Sequence, residues 1–69
     1  MDAENWGRKI RAFRKLKGYT QRGFAEAIGV SVSVLGEVER GSRKPDEELV
    51  KRILDELHIT REDLLNMSQ

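Results

Sequence analysis

Apolar residues recur at helical spacing along much of the chain. Trp6, Ile10, Phe13 and Leu16 form one such stripe, which predicts a helix over about 5–17. Asn5 stands where an N-cap would, and Gly18 supplies a stop. Phe24, Ala25 and Ile28 share a face of a second helix over about 21–28, and Leu35 and Val38 a face of a third over about 32–40. Leu49, Ile53, Leu54 and Leu57 mark a fourth over about 46–57. Leu64 and Leu65 mark a short fifth over about 61–66. The pattern predicts five helices and no strand: an all-α chain, read as a single domain over 1–69.

The residues between these stripes are start and stop signals. Thr20 and Ser31 each carry a side-chain oxygen that can accept from an orphan amide of the next turn. Gly29 and Gly41 can take the left-handed conformation that ends a helix. Asp46 caps the fourth helix, with Glu47 and Glu48 in its first turn, where negative charge suits the helix dipole. Thr60 and Asp63 resemble a capping box for the fifth helix, with Asp for the usual Glu. Gly36 breaks the rule inside the third helix. It costs roughly 1 kcal/mol relative to Ala, so the position is read as drift or as a place where something approaches the backbone closely.

Two short helices sharing a buried corner across the turn at Gly29, with the outer face of the second left free, form a helix-turn-helix. Charge then bears on what that free face meets. The net charge of +1 hides an asymmetry, because residues 8–22 carry seven Lys/Arg and no acid. Beside a helix-turn-helix, such a block is the electrostatic footprint of a polyanion rather than a solvated face.

Other chemistry is set aside. There is no cysteine for a disulfide or thiolate site, and His58 is the lone histidine, so neither a metal site nor a cofactor is expected. His58 is read as a helix-end residue. Ser31, Ser33 and Ser42 lack a His–carboxylate partner set, the glycines follow no strand, and an enzyme is not expected. No apolar run approaches the roughly 18 residues that span a bilayer. The expectation is a soluble cytoplasmic protein, with no membrane role.

The motifs Thr20-Gln21, Phe24-Ala25-Glu26, Ile28-Gly29-Val30-Ser31, Val38-Glu39-Arg40-Gly41 and Lys44-Pro45 carry a family resemblance. Residues 6–65 resemble the lambda-repressor-like, Xre/Cro type of helix-turn-helix domain, a compact five-helix fold of bacterial and phage transcription regulators. The resemblance implies a sequence-specific double-stranded DNA-binding regulator, expected to be a repressor, with helix 32–40 in the major groove. It implies base contacts from Ser31, Val32, Ser33, Gly36 and Glu37. It implies phosphate contacts from Gln21, Arg22, Arg40, Ser42, Arg43 and Lys44. It also implies a partly buried ion pair between Arg14 and Glu39 that joins the first helix to the third. A homodimer on a two-fold operator is expected if a dimer forms, and two alternatives stand for this chain: a fragment without its C-terminal effector or dimerisation domain, or a monomer that pairs only on DNA.

The sequence departs from the family pattern where bases are read. Val32 and Val34 are apolar where polar residues are usual, Gly36 has no side chain, and Glu37 puts a carboxylate near phosphates. Under one reading the valines meet thymine methyls, Ser33 makes a short polar contact and Glu37 accepts from a cytosine amino group. The alternative is a protein-interaction module that has lost base readout and uses the Val32/Val34 surface for a partner protein.

Overall fold

The computed structural model describes residues 3–66, and within them five helices follow one another: α1 (Ala3–Leu16), α2 (Gln21–Ile28), α3 (Val32–Arg40), α4 (Glu47–Leu57) and α5 (Arg61–Asn66). There is no strand among the described residues. The caps account for the boundaries. Thr20 Oγ1 accepts from the Gly23 amide at 3.0 Å, Ser31 Oγ from the Val34 amide at 3.1 Å, and Asp46 Oδ1 from the Leu49 amide at 2.8 Å. At the fifth helix Thr60 and Asp63 exchange side-chain bonds to each other's amides, at 3.0 and 2.9 Å, which is the reciprocal capping box.

The first helix departs from expectation at both ends. It begins at Ala3, so Asn5 lies inside it rather than capping it. Leu16 does not join the core and is 72% exposed. Three-residue steps fall short of the 3.6-residue turn, so from Ile10 through Phe13 to Leu16 the stripe rotates away by about 120°. The i+4 position from Ile10 is Arg14, and it is Arg14 that turns inward and is buried. In α4 the deep positions are Val50, Ile53 and Leu57, while Leu49 and Leu54 flank them half-buried.

The core is shared by all five helices. Ile10, Phe24, Leu35, Val38, Ile53, Leu57 and Leu64 are fully buried, with Ala25 and Ile28 beside them. Helix α1 packs mainly on α3, and α2 packs on both α3 and α4. The α1–α3 crossing is close because Gly7 faces it. A Cβ there would land on the Val38 carbonyl oxygen and lie 2.5 Å from that of Glu39. Outside the core, Arg61 lies over the Trp6 ring at 5.4 Å and fastens α5 to α1. No helix among the described residues is long and apolar enough to cross a membrane, and no group of three potential ligands there could hold a metal ion.

One tertiary contact is open to direct titration. The Tyr19 hydroxyl donates to Glu56 Oε2 of α4, and the Tyr19 ring packs on Phe24 at 5.1 Å between centroids. The bond to Glu56, then desolvation and the carboxylate's charge, raise the Tyr19 pKa above its ordinary 10.0. An acid raised on folding contributes stability that is full below its unfolded pKa and is lost as pH rises through the folded one. Tyr19 is the lone tyrosine. Absorbance at 295 nm is therefore expected to give one folded-state midpoint above that of the urea-unfolded chain, and Glu56→Gln to bring the two closer. Coincident midpoints in the wild type would contradict the contact.

Candidate nucleic-acid interface

The helix-turn-helix corner is built from local signals and then locked by one buried polar network. Gly29 (φ 75°) and Gly41 (φ 81°) both sit in the left-handed region, where a side chain would be strained. The turn from Gly29 to Ser31 lets Phe24, Ala25 and Ile28 of α2 meet Leu35 and Val38 of α3 in a shared buried corner.

The network centres on Glu39, in the last turn of α3. Arg14 Nε donates to Glu39 Oε2 at 2.7 Å and Arg14 Nη2 to Oε1 at 3.3 Å, with the two side chains only 7% and 4% exposed. Arg14 Nη1 donates to the Tyr19 carbonyl at 2.9 Å, and Gln21 Nε2 donates to Glu39 Oε1 at 3.1 Å. One carboxylate therefore ties together α1, the loop after it and the first residue of α2. No buried side-chain polar atom among the described residues lacks a partner. Burying an ion pair adds little net stability, but removing one partner leaves a stranded charge. The effect is to fix where α3 stands.

What α3 then shows outward differs along its length. Ser31, Val32 and Ser33 are exposed at its start, although Ser31 Oγ is already occupied as the cap. Val32 is 36% exposed and Val34 is half-buried. Gly36, expected to face a groove, is buried instead. A Cβ there would lie 3.1 Å from Arg40 Nη1 and 3.8 Å from Gln21 Nε2, so the Arg40 guanidinium covers it.

Glu37 is half-buried and engaged. Arg43 Nε donates to its Oε1 at 2.6 Å. The Glu37 carbonyl meanwhile receives the Ser42 amide (3.0 Å), the Ser42 hydroxyl (3.2 Å) and the Arg43 amide (3.3 Å). Glu37 thus organises the loop after α3, and Arg43 offsets the carboxylate that sequence reasoning left unpaired near phosphates. Two residues expected to act separately, on base and on phosphate, are one unit.

Arg22, Arg40 and Lys44 are exposed, and so is Arg11, which the sequence reading did not single out beyond the basic block. Arg11 lies three residues before Arg14 and lines a groove with Arg14, Gln21, Gly36, Glu39 and Arg40. Its i−3 relation to an inward arginine was the available signal. The start of α3 and the loop after it lie at opposite ends of a nine-residue helix, roughly 12 Å apart along its axis. Basic residues thus flank a short, weakly polar face at its loop end and along the groove shared with α1 and α2.

A fixed helix-turn-helix corner with that outward face defines a helix-turn-helix domain of the five-helix, all-α kind. The chain belongs to the Helix-turn-helix family, whose model matches residues 10–69. It is 59% identical over 64 residues to the HTH-type transcriptional regulator YazB of Bacillus subtilis (strain 168), covering 93% of each chain. It is 38% identical over 53 residues to the HTH-type transcriptional regulator Rv0023 of Mycobacterium tuberculosis (strain ATCC 25618 / H37Rv), where it spans 21% of the longer protein. Among solved structures, the clp gene regulator ClgR from Corynebacterium glutamicum superimposes with a TM-score of 0.87 at 38% identity, over 91% of this chain and 67% of that one. The restriction-modification controller protein C.AhdI from Aeromonas hydrophila gives 0.84 at 29% identity, over 90% and 94%.

Proposed function

We propose that this chain is a sequence-specific, double-stranded DNA-binding transcriptional regulator that places α3 in the major groove, without enzymatic activity. The observation that carries the reading is the Arg14–Glu39–Gln21 network, which holds α3 rigidly with Val32 and Ser33 outward and basic side chains around it. Phosphate contacts set the register of such a helix, and base contacts then specify. Arg22, Arg40 and Lys44 supply the first kind. Val32 against a thymine methyl and Ser33 against a base edge supply the second.

We infer repression as the mode of action from bulk. A body 27 Å in its longest extent covers about eight base pairs at 3.4 Å per step, and the duplex beneath it is closed to other proteins. Two copies on a two-fold site would place half-sites about one helical turn apart. The similarity to transcriptional regulators, of which YazB is covered nearly end to end, supports the regulatory role. The partner-protein reading has less support, because Val34 is half-buried and the exposed apolar surface of α3 reduces to Val32.

Enrichment from a randomised duplex pool tests the proposal. A two-fold site is expected to emerge, and Val32→Ala and Ser33→Ala to relax preference at one position each. Glu37→Gln frees Arg43 and removes a negative charge, so it is expected to tighten binding evenly across sequences. A preference altered at a single base pair would show instead that the carboxylate touches a base. A pool in which no site is enriched refutes base reading.

A further inference from the structure

We propose that the groove between α1, α2 and the C-terminal half of α3 seats one backbone phosphate of the bound duplex between Arg11 and Arg40, and that Gly36 is the floor that lets Arg40 lie there. The inference rests on the DNA-binding reading above and assigns a role to a glycine that reading does not use. Three guanidinium groups, from Arg11, Arg14 and Arg40, line this groove against one carboxylate, Glu39. That carboxylate is spoken for, since Arg14 and Gln21 donate to it at 2.7–3.3 Å. Arg14 has a further donor on the Tyr19 carbonyl. Arg11 and Arg40 are exposed, and neither is paired with a carboxylate among the described residues. The groove, about 380 Å³, thus joins a neutralised interior to two uncompensated planar cations. Such groups match the oxygens of a phosphate bidentately.

At Gly36, Ala would be favoured in mid-helix, and the Arg40 guanidinium covers the bare backbone, with Nη1 3.1 Å and Cζ 3.9 Å from where a Cβ would stand. A methyl at 36 makes the Arg40 guanidinium give way by a few tenths of an ångström, and a larger side chain displaces it further from this resting place. The position therefore trades helix stability for the placement of one arginine. It is a positioning residue.

The charge-neutral substitution Gly36→Ala separates geometry from electrostatics. It is expected to leave thermal stability unchanged or raised, because the atom it meets is the far end of a flexible side chain. Its affinity for an enriched duplex is expected to fall about threefold, as on weakening of one charge-assisted contact. Arg40→Ala should weaken binding about tenfold, as on loss of the contact, and reduce the salt slope by about one, as should Arg11→Ala. In the Arg40→Ala background, Gly36→Ala should have no further effect. A loss of about threefold that persists in the Arg40→Ala background would overturn the proposal, since the glycine would then serve an approach of DNA to the backbone itself. So would unchanged affinity of Gly36→Ala. In both cases the wild type still binds and the DNA reading stands, whereas a wild type that binds no duplex removes the reading and the inference together.

Discussion

Arg14→Met is expected to destabilise the fold by about 3 kcal/mol, the range seen when one partner of a buried pair is removed. The arginine and Glu39 side chains are 7% and 4% exposed, so the carboxylate left behind would be desolvated with only Gln21 to donate to it. Domains of this length lie at the low end of stability, and each kcal/mol shifts Tm by roughly 4–8 °C. A fall of about 12–24 °C should therefore be seen in thermal unfolding. The double variant Arg14→Met/Glu39→Leu removes the stranded charge and is expected to recover much of the loss. Recovery of stability without recovery of DNA affinity would show that the pair is kept for placing α3. A loss below about 1 kcal/mol in the single variant would contradict the burial of the pair.

Gly7→Ala is expected to cost about 2 kcal/mol, against the ordinary helix preference for alanine. The new Cβ would overlap the Val38 carbonyl oxygen and lie 2.5 Å and 2.8 Å from the Glu39 carbonyl oxygen and carbon. Those atoms belong to backbone and cannot swing aside. Helix α1 must move off α3, which opens contacts of Ile10 and Arg14 at a cost of up to about 3 kcal/mol, offset by about 1 kcal/mol of helix propensity. A urea midpoint lowered with an unchanged m-value is the expected signature. The contrast with Gly36 is direct. Both are mid-helix glycines, yet one faces fixed backbone and the other a movable guanidinium, so the same substitution is expected to have opposite effects on stability.

Neither outcome could be read from the chain alone, and the reason is distance. The caps at Thr20, Ser31, Asp46 and Thr60 and the stops at Gly29 and Gly41 were legible because each acts within one turn. So were five helices and most of the core, because periodicity is local too. The start of α1 was not, since Asn5 is a common cap residue but stands inside a helix that begins at Ala3. Leu16 misled because its stripe drifts out of phase with the helix.

The site divides the same way. Arg14 and Glu39 stand four residues after the buried Ile10 and Leu35, so helical spacing can turn each inward, but they are 25 residues apart and no local rule pairs them; only the resemblance implied the pair. The Glu37–Arg43 pair spans six residues across a left-handed turn, where helical spacing rules no longer apply. Gly36 was marked as an anomaly; Arg40, one turn on in the same helix, is within local reach of it, whereas Gln21 is brought there only by the packed corner. Gly7 passed unmarked, because a close helix crossing leaves no local trace.

The central claim is that this fold holds DNA through a fixed α3 flanked by basic side chains. Its most direct test is the affinity of the wild-type chain for an enriched duplex across a series of salt concentrations. The account predicts that log K falls steeply and linearly with log salt. Lys44→Ala should flatten the slope by about one, and Arg43→Ala by less, because Glu37 already engages that guanidinium. Absence of duplex binding at low salt, or an affinity indifferent to salt, would contradict it.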